Sequence, residues 1–322
     1  MEKIYPYAVA KIKAKENNML NQNQLEQLAT EKDIKRIISI LEEKGYDFGI
    51  ISRYEEFDKT LKKEEEKLYK LIKELVEENE FLEIFLSPID YNNVKVILKS
   101  KIQEKPYKEN IVEGGLIKDY NIINIMENKE YDKLDENIKN AINDAISAYE
   151  EVQMPYIIDA ILDKMCFLNL KQKAEKIGNE FIKKYIEKMI DSINIKTFFR
   201  VRNIYKNYEI FKTSYISGGR ISLITYEKNF FEEDQNLKGK FVGFSEIIEQ
   251  AIYDYSKLDI YFDNYIMSYM KEAKLKSLSI EPIVAYIYAK QTEIKNIRII
   301  LTGKIAKISS EKIKERLRES YV

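Results

Sequence analysis

The sequence predicts an all-helical protein of three similar units, on three observations. Apolar residues recur at helical spacing along nearly the whole chain, turn formers are scarce, and one twelve-residue pattern occurs three times about 100 residues apart.

The periodicity is plain where Leu61, Leu68, Leu71, Ile72, Leu75 and Val76 share one side of a segment whose other side carries Lys62, Lys63, Glu66, Lys70 and Lys73. Residues 309–321 behave likewise, with Ile313 and Leu317 four apart among Lys312, Lys314, Glu315, Arg316 and Arg318, so an amphipathic helix is expected there. With 10 Gly and 5 Pro in 322 residues, and 33% charged against 45% hydrophobic residues, long helices are favoured over sheet. Strand-like alternation is confined to residues 215–226 and 239–244.

The repeat aligns residues 90–101, 191–202 and 293–304 without gaps. An acid (Asp90, Asp191, Glu293) is followed three residues on by Asn (Asn93, Asn194, Asn296), then a branched aliphatic residue, then a base (Lys95, Lys196, Arg298). Large apolar and basic residues close each copy. Gly114-Gly115 follows the first copy as Gly218-Gly219 follows the second, and Asp159 with Asp163 is matched 100 residues on by Asp259 with Asp263. Three units are therefore expected: residues 1–115 including an N-terminal segment, 116–219 and 220–322.

Each copy reads as a helix. The acid at its start is expected to meet the positive end of the backbone dipole, and the bases at its finish the negative end. Ser87-Pro88 offers an N-cap and an N1 proline to the first copy, and Gly303 a left-handed residue to end the third. Val94, Ile97 and Leu98 make an apolar stripe that Ile195, Phe198 and Phe199 and then Ile297, Ile300 and Leu301 reproduce. Asn93, Asn194 and Asn296 lie at its edge, where an amide bonds a neighbouring helix or a loop carbonyl. The glycine pairs are expected in tight turns, because Gly218-Gly219-Arg220-Ile221 lacks the Gly-Lys-Ser/Thr ending of a phosphate loop.

Several function classes find no support. The 53 basic and 54 acidic residues leave a net charge of -1, with no global field to attract nucleic acid. Histidine is absent and Cys166 is the single cysteine, which removes the usual zinc ligands, nucleophilic dyads and triads, and any intrachain disulfide. A reducing, cytoplasmic setting fits. Cys166 lies in an apolar run that suits a buried, inert thiol. The opening residues, Met1 to Pro6, lack the order of a secretory signal, and apolar runs such as residues 283–289 fall far short of the roughly 20 residues that span a bilayer.

Asn264, Ser268 and Glu272 stand at the i, i+4, i+8 spacing with which helical terpene cyclases hold magnesium, but the Asp-rich partner motif of those enzymes is missing. Asp159 and Asp163 are read as helix-face contacts, not as an acid and base pair. Tyrosines such as Tyr253, Tyr255, Tyr261, Tyr265 and Tyr269 are read as core or protein interface. The run from Lys62 to Lys67 is read as an exposed helix face. No residue is assigned a catalytic, cofactor-binding or metal-binding role, and no cofactor is expected.

The residues that carry the repeat also resemble the V/A-type ATPase C-subunit family, related to the d subunit of the eukaryotic vacuolar enzyme. Glu281-Pro282, Tyr286, Ala289-Lys290, Glu293, Asn296, Arg298, Gly303-Lys304 and Tyr321-Val322 carry the likeness most strongly. The Asn194-Ile195-Lys196 segment with Arg200 and Arg202, the glycine pairs, and Tyr5 and Tyr7 before Ala14 extend it over nearly the whole chain. The resemblance implies a funnel-shaped protein of three helical units around a pseudo-threefold axis, with no catalytic residues. It implies a central-stalk subunit on the cytoplasmic face of the cell membrane, peripheral, seated on the membrane rotor ring of proteolipid subunits. There it receives the central axle subunits and serves hydrogen ion or sodium transport, with no nucleic acid partner and no direct membrane insertion. The third copy departs from the pattern: Thr302 stands where the others have Lys99 and Arg200, and no glycine pair follows, so its unit is expected to be truncated or differently exposed. An unrelated helical scaffold and a magnesium-dependent helical enzyme are the rival readings of the same composition.

Overall fold

A computed structural model describes residues 5–49, 56–76 and 80–322, and among these it contains helices and no strand. Residues 1–4, which open the segment lacking secretory-signal order, lie outside the described residues. In chain order the α-helices are α1 (Pro6–Glu16), α2 (Gln22–Thr30), α3 (Ile34–Glu43), α4 (Phe57–Leu75), α5 (Glu83–Ile102), α6 (Asp119–Asn128), α7 (Glu136–Val152) and α8 (Pro155–Ile177). They continue as α9 (Glu180–Arg200), α10 (Tyr208–Ser214), α11 (Leu223–Asn229), α12 (Ser245–Tyr253), α13 (Leu258–Glu272), α14 (Glu281–Ile305) and α15 (Ser310–Lys314). Side chains of Asn21, Asp33, Asp135, Asn179, Asn207, Ser222 and Ser309 accept the first free backbone N–H groups of α2, α3, α7, α9, α10, α11 and α15. These starts are written in the sequence by residues that favour caps.

The contacts group into two compact units: the described residues of Met1–Glu77 with Lys257–Val322, and those of Glu78–Ser256. In the first, α14 is buried along most of its length, with Ile294, Ile297, Ile300 and Leu301 packed among Leu25 and Leu28 of α2, Ile37 and Leu41 of α3, Leu61 of α4 and Ile313 of α15. A helix that buries residues on most of its sides belongs inside, and α14 is the axis of this unit. In the second unit α8 packs against α5, α7 and α9. Beside them Phe198 of α9 is ringed by Phe199, Phe211, Tyr226, Phe230 and Phe241.

Four local expectations are corrected. Helix α5 begins at Glu83, so Ser87 and Pro88 lie inside it. Pro88 removes one intrahelical bond near the start, while burial of Phe81, Leu82, Phe85 and Leu86 holds the preceding turn in place. Ser87 is buried and accepts a hydrogen bond from Lys173 Nζ at 3.2 Å. Residues 215–226 and 239–244 form no strand, and Leu223–Asn229 is helical. Helix α15 stops at Lys314, and the chain beyond runs non-helically because the backbone of Arg318 is engaged by Asn296.

Gly303 is helical and buried inside α14, and the left-handed residue that ends this helix is Lys307, with φ of 55°. A Cβ on Gly303 would stand 2.7 Å from Cγ1 and 2.8 Å from Cδ1 of Ile313, so this glycine provides room for α15. Gly303→Ala is expected to lose about 1–2 kcal/mol by urea unfolding, overpacking outweighing the gain in helix propensity. Combined with Ile313→Ala it is expected to lose clearly less than the two single losses summed. Strictly additive losses would refute the packing role.

Candidate functional site

The three copies of the repeat run toward the C-terminal ends of α5, α9 and α14, the second passing just beyond α9, so their acids are seven or more residues inside a helix and away from its positive end. This overturns the expected dipole role. The acids are buried and face loops. Asp90 accepts the N–H groups of Leu116 and Ile117 at 3.1 and 3.2 Å, and Asp191 those of Arg220 and Ile221 at 3.0 and 3.2 Å.

The glycine pairs belong to this contact. Gly114 and Gly218 turn the chain with φ of 98° and 109°. Their successors press on the carboxylates: a Cβ on Gly115 would lie 2.1 Å from Asp90 Oδ1, and one on Gly219 2.3 Å from Asp191 Oδ1. The second glycine thus lets a loop backbone reach a buried carboxylate that a larger residue would hold away.

Each asparagine clamps one residue further along the chain through both of its polar atoms. Asn93 donates to Val112 O and accepts from Val112 N at 2.8 and 2.9 Å; Asn194 does the same with Ile216 at 2.8 and 2.9 Å. Asn296 repeats it with Arg318 at 2.9 and 2.8 Å. A primary amide matches one N–H and one C=O together through two separate atoms, which a carboxylate does not do without gaining a proton. The last base of each copy also finds a carbonyl: Lys101 donates to Met126 O, Arg202 to Phe230 O and Lys304 to Ala29 O. Each helix then ends on the same backbone bond, from Lys105, Lys206 and Ile308 N–H back to the carbonyls of Ser100, Val201 and Gly303.

The third copy has no glycine pair, and its acid is one methylene longer. Glu293 accepts from Leu20 N at 2.5 Å, from Tyr46 Oη at 2.6 Å and from Lys290 Nζ at 2.6 Å. Its partners come from near the N-terminal end and its amide clamp holds Arg318 near the C-terminal end, so both ends of the described chain complete this copy. Burial, then the Glu293 carboxylate, pushes the ionisation of Tyr46 up, so the phenol keeps the proton that it donates.

The bases on the helix faces pair with the acids noted in the sequence. Lys95 meets Asp163 and Lys99 meets Asp159, both at 2.6 Å, while Asp263 receives Lys295 at 2.5 Å and Arg318 at 2.8 Å. Arg298 reaches Asp58 of α4 at 2.7 Å. Asn264 accepts Glu319 N–H at 2.9 Å, which gives that asparagine a structural task. Glu64, inside the run read as an exposed face, is buried and paired with Lys67. Cys166 is buried, and burial pushes its thiol up, which suits an inert residue. Tyr253 is exposed and Tyr269 is buried, one surface and one core.

A polar cleft of about 1020 Å³ borders the first clamp, where Asn121, Asn124 and Asn128 of α6 face Asp90 and Lys173. Its charged groups are already committed: Lys173 pairs with Glu83, and Asp90 holds its two backbone N–H groups. Burial lifts Asp90 from 3.8 to about 6, against the Ile117 and Leu116 N–H groups and Lys173, which lower it. With the folded value above the unfolded one, the stability that Asp90 contributes is complete below about pH 4 and declines as pH rises to about 6, then stays level. The expected decline is of order 3 kcal/mol. In urea unfolding between pH 4 and 7, the stability difference between the wild type and Asp90→Asn should shift in this window; a difference that does not vary with pH refutes the assignment.

Fold and site together define a helical scaffold built by repetition, whose buried polar groups bind its own loops. The chain belongs to the ATP synthase (C/AC39) subunit family, a model of which matches residues 8–316. It is a structural subunit of a V/A-type ATPase, not a catalytic one. Among similar proteins, the C subunit of the V-type sodium ATPase of Enterococcus hirae is 25% identical over 319 residues, covering 96% of this chain and 97% of that protein. The C subunit of the A-type ATP synthase of Pyrococcus furiosus is 24% identical over 337 residues, covering 97% and 89%. That of Methanosphaera stadtmanae is 24% identical over 344 residues, covering 97% and 87%. Among the described residues no helix is long and apolar enough to cross a membrane.

Proposed function

We propose that this chain is the central-stalk coupling subunit of its ATPase, connecting the axle subunits to the proteolipid rotor ring on the cytoplasmic face of the membrane. The three sequence units, 1–115, 116–219 and 220–322, would stand around a pseudo-threefold axis to form the seat between axle and ring. In this role the chain carries rotation between sites of ATP chemistry and sites of proton or sodium movement, in either direction.

The observation that carries the reading is the clamp used three times. A torque-bearing spacer needs stiffness, and each copy ties a buried helix to a distant loop through an amide and an acid, in interiors whose close packing transmits strain. Purification of the chain from solubilised native membranes should bring down the ring and axle subunits, which an unrelated helical scaffold would not do. Vesicles lacking the chain should retain ATP hydrolysis in the detached head and lose ion pumping. Undiminished pumping without it would overturn the coupling role.

A further inference from the structure

A second cavity, of about 220 Å³, lies in the unit that contains α14. It is lined by Lys15 of α1, Lys44 at the end of α3, Lys67 and Glu64 of α4, and Tyr286 and Lys290 of α14. Four lysines thus border a space that fits about seven waters. Two are neutralised, Lys67 by Glu64, which itself lines the cavity, and Lys290 by Glu293, each at 2.6 Å. Lys15 and Lys44 have no side-chain partner among the described residues, which leaves the cavity with two uncompensated positive charges.

The Tyr286 hydroxyl adds a directed donor. This residue is 5% exposed, lines the cavity, and its hydroxyl has no hydrogen-bond partner among the described residues. Burial pushes its ionisation up, so the hydroxyl keeps its proton. Lys15 and Lys44 each sit at a helix C-terminal end, where a base complements the dipole. That explains two lysines one at a time. It does not explain their convergence on a cavity lined by a phenol with no protein acceptor recorded for its hydroxyl among the described residues, beside the carboxylates of Glu64 and Glu293.

We propose that this cavity binds a small, doubly charged oxyanion of the phosphate class, free in solution, held by Lys15, Lys44 and the Tyr286 hydroxyl. The two unpaired ammonium groups match its charge, and the hydroxyl donates to one of its oxygens. The volume lies below that of pockets for drug-sized ligands, which selects inorganic phosphate or pyrophosphate over a nucleotide. The site goes beyond the coupling role and stands or falls independently of it.

The test is calorimetric titration of the full chain with inorganic phosphate and with pyrophosphate, at constant ionic strength set with chloride. Saturable one-to-one binding of either anion is expected, weakened about tenfold or more in the double variant Lys15→Ala with Lys44→Ala. Tyr286→Phe, which removes only the hydroxyl, should weaken it by roughly threefold to tenfold. Circular dichroism of all variants should match the wild type, since none of the three side chains has a polar partner to lose among the described residues. No saturable heat with either anion, or equal affinity in the double variant and wild type, would overturn the proposal.

Discussion

Asn194→Ala is expected to destabilise the protein by about 3 kcal/mol in urea unfolding followed by circular dichroism, because it strands both polar groups of Ile216 in the interior. The asparagine is 1% exposed, so water does not replace what the amide supplied. A buried donor or acceptor left unpaired costs roughly 1–3 kcal/mol, and here one of each is left. Asn296→Ala should rank with it, since Arg318 is also buried, and Asn93→Ala should cost less because Val112 is partly exposed. Asn194→Asp supplies a sharper test: at neutral pH it sets a carboxylate against Ile216 O, while at low pH the protonated carboxyl donates there again. Its deficit relative to wild type should therefore shrink as the solution is acidified. A loss below about 1 kcal/mol for Asn194→Ala, or Asn93→Ala proving the worst of the three, would remove the clamp from the account.

Phe198→Ala is expected to cost more, about 4 kcal/mol. Its ring is fully buried, and five aromatic neighbours have centroids 5.4–5.8 Å away, several of them edge-on. Removing it opens a void that the surrounding rings, several of them packed against one another, fill only in part. Phe198→Leu should recover more than half of the loss by restoring volume without the edge-to-face contacts. The near-ultraviolet dichroism of the tyrosines should weaken in the alanine variant, as Tyr226 loses its fixed neighbour. A loss for Phe198→Ala no larger than that of an exposed phenylalanine such as Phe231 would contradict the packing.

Comparison of the repeat with its three settings shows which features were legible in the sequence. The spacing of acid, amide and base was visible, and so was the idea that the amide bonds a loop. Helix starts were misread at Ser87-Pro88 because α5 and α14 are buried on most sides, so apolar residues give no clear onset of a face. The role of the acid was missed because its partners lie 26 to 30 residues on in the first two copies and 273 and 247 residues away in the third. One sign was present: Asp gives way to Glu in the copy where the glycine pair disappears, and the longer side chain reaches what a glycine turn no longer brings near.

The order of residues alone determined the helical class, the threefold recurrence, the buried stripes and the lack of histidine and disulfide chemistry, because periodicity and composition act along the chain. Tertiary structure alone decided that Asp90 and Asp191 hold glycine loops and that Gly303 makes room for Ile313. It also decided that segments near both ends of the described chain complete the third copy and that Lys15, Lys44 and Tyr286 share one cavity. Hydrogen bonds, close contacts and converging charges depend on separation in space, and folding sets that separation independently of distance along the backbone.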